Sequence, residues 1–139
     1  AVIVRQVREL NLDFEIMGSA SFSTQVTLEI AGKATEGMYS VQEFNADASD
    51  ESRKFRDAYF EAYKKEPDHF GAWTYDSVNI IANAISASGS IKKDDIINAI
   101  KNTKGLKGAL GSFTPNEIGD MMHKMNVITV KDGKFEVVE

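Results

Sequence analysis

Cysteine is absent from the 139 residues, so no disulfide framework, thiolate metal site or cysteine nucleophile is available. That absence leaves the compartment open, because extracytoplasmic and cytosolic chains alike do without cysteine. Proline is scarce, at two residues, and the chain is 42% hydrophobic and 27% charged. Disordered and fibrous classes are thereby excluded. No apolar run approaches the roughly 18 residues of a spanning helix. A basic stripe is missing too. Sixteen basic against 21 acidic side chains give a net charge of −5. The signs interleave, as where Arg53, Lys54 and Arg56 share a stretch with Asp50, Glu51 and Asp57. Counterion release from nucleic acid and polybasic membrane contact both need such a stripe, so neither partner is expected. The chain opens at Ala1 with neither methionine nor a signal-type apolar stretch, which reads as a cleaved or partial polypeptide.

What is present is a chain of one ordinary domain's length with clear periodicity. Ile3, Val4, Val7 and Leu10 have helical spacing, and Phe14, Ile16, Met17 and Gly18 read as a short buried strand. Ser19 to Thr24 is a polar turn from which Ser23 or Thr24 caps a helix to about Ala31, stopped by Gly32. Met38 to Phe44 reads as a second strand, giving the rhythm of a parallel α/β sheet. The loop Asn45 to Ser52 changes the character of the chain. Phe55, Ala58, Tyr59, Ala62 and Tyr63 then predict an amphipathic helix ended before Pro67.

A helix apolar on most of its circumference follows from Ala72 to Ala87, and a third opens at Asp94 or Asp95 and ends by Gly105. A turn then threads back toward a strand at Ser112-Phe113. Asn126 to Val130 and Phe135 to Val138 alternate around Asp132-Gly133, a two-residue hairpin signal. Three helices between two β regions do not complete a doubly wound sheet.

Catalytic and metal chemistry find little footing. The two histidines, His69 and His123, lack partners at ligand spacing and read as helix-end or solvated residues. Ser90-Ile91-Lys92-Lys93 matches a serine-lysine motif without its companions, so Ser90 reads as a cap. Gly105, Gly108 and Gly111 lack the strand-before, helix-after context of a nucleotide loop. Asp47, Asp50 and Glu51 sit in a loop before a helix N-terminus, where they favour its dipole, and their spacing is not that of a calcium loop. No acid, base and nucleophile converge, so no catalytic residue, metal ligand or cofactor is expected. The most site-like feature is Gly18-Ser19-Ala20-Ser21-Phe22-Ser23-Thr24. It runs from a strand into a helix, at the carboxyl edge where open α/β sheets bind ligands.

Gly18-Ser-Ala-Ser-Phe and Ala31-Gly32-Lys33-Ala34-Thr35-Glu36-Gly37-Met38 resemble a segment of the bacterial periplasmic binding proteins for branched-chain amino acids. The likeness continues through Phe55, Tyr63 and Pro67, then Thr74-Tyr75-Asp76-Ser77-Val78, Gly111-Ser112-Phe113 and the Asp132-Gly133 hairpin. It implies the C-terminal portion of a two-lobed type I protein, with parallel Rossmann-like sheets, flanking helices and a terminal hairpin. Residues 1–44 would then belong to the second lobe, 45–116 to a helical return to the first, and 117–139 to strands of the second.

The implied function is capture of a small amphipathic solute for an ABC importer in the periplasm or another extracytoplasmic space. The alternative is a ligand-sensing receptor ectodomain of the same fold. Ser19, Ala20 and Ser21 match the loop that supplies ligand contacts, and Phe70 matches an aromatic wall of the side-chain pocket. Leu/Ile/Val binders carry a glutamate for the ligand ammonium where this chain has Ala20. The resemblance therefore implies either an acid from another segment or a solute that is not an α-amino acid. The implied partners are the remaining lobe segments and the importer's membrane subunits. Exposed apolar surface and self-association are expected for the Tyr75–Ile85 stretch if nothing covers it.

Overall fold

The computed structural model describes residues 1–138, which form two compact units: 1–43 with 125–138, and 44–124.

In the first unit, helix α1 (Val2–Glu9) buries Val4 against Met38 and Val130. Helix α2 (Gln25–Ala31) starts at Thr24, whose hydroxyl accepts the Thr27 N–H, and stops at Gly32. Strand β1 (Tyr39–Gln42) pairs antiparallel with β5 (Asn126–Lys131), which pairs with β6 (Lys134–Val137). The β5–β6 turn has positive φ at both Asp132 and Gly133, as a two-residue turn matched to strand twist requires. The Glu36 carboxylate accepts both their N–H groups, at 2.9 and 3.3 Å. Alternation along β5 buries Ile128 and Val130 and leaves Val127 outward.

The strand expected from Phe14 to Gly18 reduces to one parallel bridge, Met17 to Tyr39. Two bonds flank it: Gly18 N–H to the Tyr39 carbonyl at 2.9 Å, and Tyr39 N–H to the Ile16 carbonyl at 2.8 Å. A parallel ladder needs a neighbour along its length, and here β1 is only four residues long and already paired on its other edge.

In the second unit, α3 (Asp50–Tyr63) is capped by Ser49 and carries Asp50 and Glu51 in its first turn. Hydrogen bonding and charge from Arg53 hold the Asp50 carboxyl below its ordinary range. Helix α4 (His69–Ser88) begins three residues earlier than its apolar pattern, because Asp68 accepts the Gly71 N–H as its cap. Helix α5 (Lys93–Lys101) is capped from Lys92, with Asp94 and Asp95 inside its first turn rather than before it.

A small antiparallel sheet follows: β2 (Leu106–Gly108), β3 (Gly111–Pro115) and β4 (Met121–Met122). Because β4 pairs with β3, residues 117–124 stay with the helical unit, and the chain leaves it after Lys124 rather than Asn116. The unit's core is Phe55, Ala72, Ala109, Leu110 and Phe113, with Phe44, Tyr59, Ile80, Leu106 and Met121 packed around it. Helix α4 is not buried on most of its circumference in this unit. Tyr75, Val78 and Ile81 are 49%, 61% and 48% exposed, as expected of an apolar face that nothing covers.

Candidate functional site

The loop after Met17 turns its carbonyls inward. The Ser19 carbonyl accepts the Ser40 hydroxyl at 2.8 Å and the Phe22 N–H at 2.9 Å. The Ala20 carbonyl accepts both the Ser23 hydroxyl and the Ser23 N–H. Residues Ala20–Phe22 therefore form a 3-10 turn, with Ser19 and Ser21 exposed on either side of a buried Ala20. Two outward hydroxyls suit a polar head group, and the buried methyl offers no charge for one.

Phe70, the fourth expected site residue, lies in the first turn of α4 in the other unit. Its ring centroid is 4.0 Å from that of His69, and its edge meets Trp73. Ser19, Ala20 and Ser21 thus come together within one unit, and Phe70 belongs to the other.

His69 is buried at the start of α4 rather than solvated, with Nε2 unpartnered, while His123 meets Phe113 at a tilt, ring centroids 5.4 Å apart. Among the described residues no group of three or more histidine, aspartate or glutamate side chains is placed to hold a metal ion. The Ser90 hydroxyl donates to Asp95 and accepts the N–H of Lys92, the residue before α5, so Ser90 braces the turn into that helix and is not its cap; α5 has no side-chain cap.

Sequence reasoning missed Asp76. Its buried carboxylate accepts the Ala109 and Leu110 N–H groups, both at 2.8 Å, and so ties the β2–β3 turn to α4. Burial pushes its carboxyl above the ordinary range, against the pull of the Leu110 and Ala109 bonds and the charge of His123. From the other side the Ser52 hydroxyl donates to the Ala109 carbonyl at 2.8 Å. Both Asp76 oxygens are engaged by backbone, so this carboxylate organises the fold rather than a reaction. An aspartate between apolar residues on a helix was the available signal, but its partners lie 33 and 34 residues away.

The sequence pattern of the periplasmic binding protein family matches residues 1–134. The chain belongs to that family. A Leu/Ile/Val-binding protein homolog of Brucella suis is 27% identical over 148 aligned residues, covering 99% of this chain and 38% of that protein. A leucine-binding protein of Thermotoga maritima superposes with a TM-score of 0.87 at 29% identity, covering 99% of this chain and 40% of that one. A branched-chain amino acid substrate-binding protein of Streptococcus pneumoniae, solved with isoleucine, gives 0.82 at 28% identity, covering 97% and 39%. The fold is that of a type I periplasmic binding protein, and the chain spans about two-fifths of these relatives' length.

Proposed function

We propose that the chain is part of an extracytoplasmic solute-binding protein that serves an ABC importer. Its solute is a small amphipathic molecule, a branched-chain amino acid or a related small acid or amide, held between two lobes. The observation that carries this reading is the collinear match over nearly the whole chain to leucine- and isoleucine-binding relatives. In this reading the unit of residues 1–43 and 125–138 belongs to one lobe and that of residues 44–124 to the other. Capture works as a closure equilibrium, biased toward the closed state by contacts the solute makes to both lobes.

The exposed hydroxyls of Ser19 and Ser21 take the solute's polar head, Ala20 closes the floor of that loop, and Phe70 supplies an apolar wall. The work is binding without turnover. The importer's membrane subunits are the macromolecular partners, in the periplasm or its equivalent.

A thermal-shift panel on the product of the whole gene tests the proposal, using leucine, isoleucine, valine, their amides and their deaminated acids. A solute present at about 100-fold over its dissociation constant adds about 2.7 kcal/mol. No shift with any member of the panel refutes the reading. A shift with the deaminated acids alone assigns an acid rather than an α-amino acid, consistent with the missing charge at Ala20.

A further inference from the structure

Asp132-Gly133 is the chain's one Asp-Gly pair, and the sequence holds no Asn-Gly pair. Both residues are exposed at the β5–β6 turn, and the space beside the Gly133 Cα is open. An aspartate followed by glycine carries its own electrophile and nucleophile. The glycine nitrogen, uncrowded by a side chain, closes a five-membered ring on the aspartate Cγ when the backbone brings the two together. In that step a C–N bond forms, and the amide proton leaves with the carboxyl's hydroxyl as water. Water then reopens the imide. Attack at the side-chain carbonyl restores aspartate, and attack at the main-chain carbonyl leaves a β-linked isoaspartate of unchanged mass. No oxidant or co-reactant is consumed.

We propose that Asp132-Gly133 is a site of isoaspartate formation whose rate is set by the Glu36 carboxylate. With φ of 51° at Asp132 and 72° at Gly133, the pair forms a type I′ turn. Such a turn sets ψ of its first central residue near about +30°. The Asp132 Cβ and the Gly133 nitrogen then lie on opposite sides of the Cα–C bond, so Cγ does not reach that nitrogen. Ring closure needs a large rotation about ψ, and Glu36 opposes it. Its carboxylate takes the Asp132 N–H at 2.9 Å and the Gly133 N–H at 3.3 Å. Glu36 is itself anchored beside the hairpin. The Gly37 N–H donates to the Val130 carbonyl at 2.9 Å, and the Val130 N–H to the Met38 carbonyl at 3.0 Å. The reaction starts from the opened turn, so its rate follows the open population. The product undoes the turn: a β link adds a backbone atom, and the Lys131–Lys134 and Val130–Phe135 pairs lose their register. Phe135 packs against the Val4, Met38 and Val130 cluster, so the modification loosens the core of its unit. The inference concerns that unit alone and does not depend on which solute is captured.

The test holds the chain at physiological temperature and pH in heavy-oxygen water. Mass spectrometry locates isoaspartate, and methyl transfer from S-adenosylmethionine by an isoaspartate methyltransferase counts it. Labelled isoaspartate at Asp132, formed more slowly than in a Val130–Glu136 peptide that lacks Glu36, supports the proposal. Glu36→Ala speeds the reaction about five-fold, the change in open population for one hydrogen bond of ordinary strength. Glu36→Gln keeps one acceptor and falls between the parent and the alanine variant. Hydrogen exchange at the Val130 amide checks that the unit stays folded, and if Glu36→Ala loses that protection the comparison passes to Glu36→Gln. A folded chain that isomerises as fast as the peptide overturns the proposal. So does a rate in the folded Glu36 variants equal to or below the parent's, which would make Glu36 a base for the Gly133 proton. Isomerisation of the peptide with none in the parent or in either variant overturns it as well. None of these outcomes bears on the whole-gene thermal-shift panel.

Discussion

Replacing Asp76 tests whether one buried carboxylate holds the second unit together. Its side chain is 2% exposed, and its two acceptors meet N–H groups of residues that are themselves buried, Ala109 and Leu110. Asp76→Ala orphans both donors, at about 1–3 kcal/mol each, for a loss of about 2–6 kcal/mol. Asp76→Asn keeps one acceptor and presents an amide NH₂ to the other donor, for a loss of about 1–3 kcal/mol. Urea denaturation followed by Trp73 reads the change, because Trp73 is the sole tryptophan and lies one turn before Asp76 on α4. An alanine variant within about 0.5 kcal/mol of the parent would refute the reasoning.

The pH dependence supplies a second arm. Burial raises the folded carboxyl above its unfolded value, so folding favours the protonated form. The stability this shift contributes is full below the unfolded value of about 3.9 and is lost as pH rises through the folded one. The gap between parent and Asp76→Asn therefore widens on acidification through the carboxylate range. A gap that narrows would mean that the backbone bonds and the His123 charge outweigh burial.

Gly108→Ala should destabilise the same turn by about 1–3 kcal/mol, because the added methyl would overlap the Asp76 carboxylate, and the same urea titration reads it. Adding Asp76→Ala to that variant should cost less than in the parent, since the two share a contact. Glu36→Ala removes the acceptor of the Asp132 and Gly133 N–H groups, costs about 0.5–1.5 kcal/mol, and should speed exchange of those two amides in hydrogen-exchange NMR. The 139-residue chain alone should bind an apolar dye and self-associate through Tyr75, Val78 and Ile81. Val78→Asp should reduce both, and a monomeric chain without dye binding by analytical ultracentrifugation would count against that face being uncovered.

Elements whose instructions are local were legible in the sequence. Thr24 caps its helix through a bond three residues along, and Asp132-Gly133 turns a hairpin through its own backbone, whereas the Ser49 cap that starts α3 inside the expected loop was not read. The periodicity of Phe55, Tyr59 and Tyr63 placed α3 for the same reason. Elements written in distant contacts were not. Of the β2–β3–β4 sheet only the strand at Ser112-Phe113 was read; its strands run two to five residues, too short for a period, and its turn is held by Asp76 and Ser52 from two helices. Phe14 to Gly18 had the composition of a strand, yet strand structure depends on a neighbour, and only Met17 has one.

The candidate site divides along the same line. Ser19, Ala20 and Ser21 are consecutive, so one local turn sets which of them faces out. Phe70 sits in the first turn of α4, where the Asp68 cap, and not the apolar period starting at Ala72, fixes where the helix begins. In the proposed function the solute's contacts to the two lobes bias a closure equilibrium. Affinity is then a property of the closure equilibrium as much as of any contact: a chain whose competent state is populated at a fraction f binds weaker by that factor. Substitutions at Ser19 or Ser21 should therefore change solute affinity without changing the urea midpoint read at Trp73, whereas Asp76→Asn should change both. A Ser21→Ala protein with unaltered affinity for the solute found by thermal shift would remove that residue from the site.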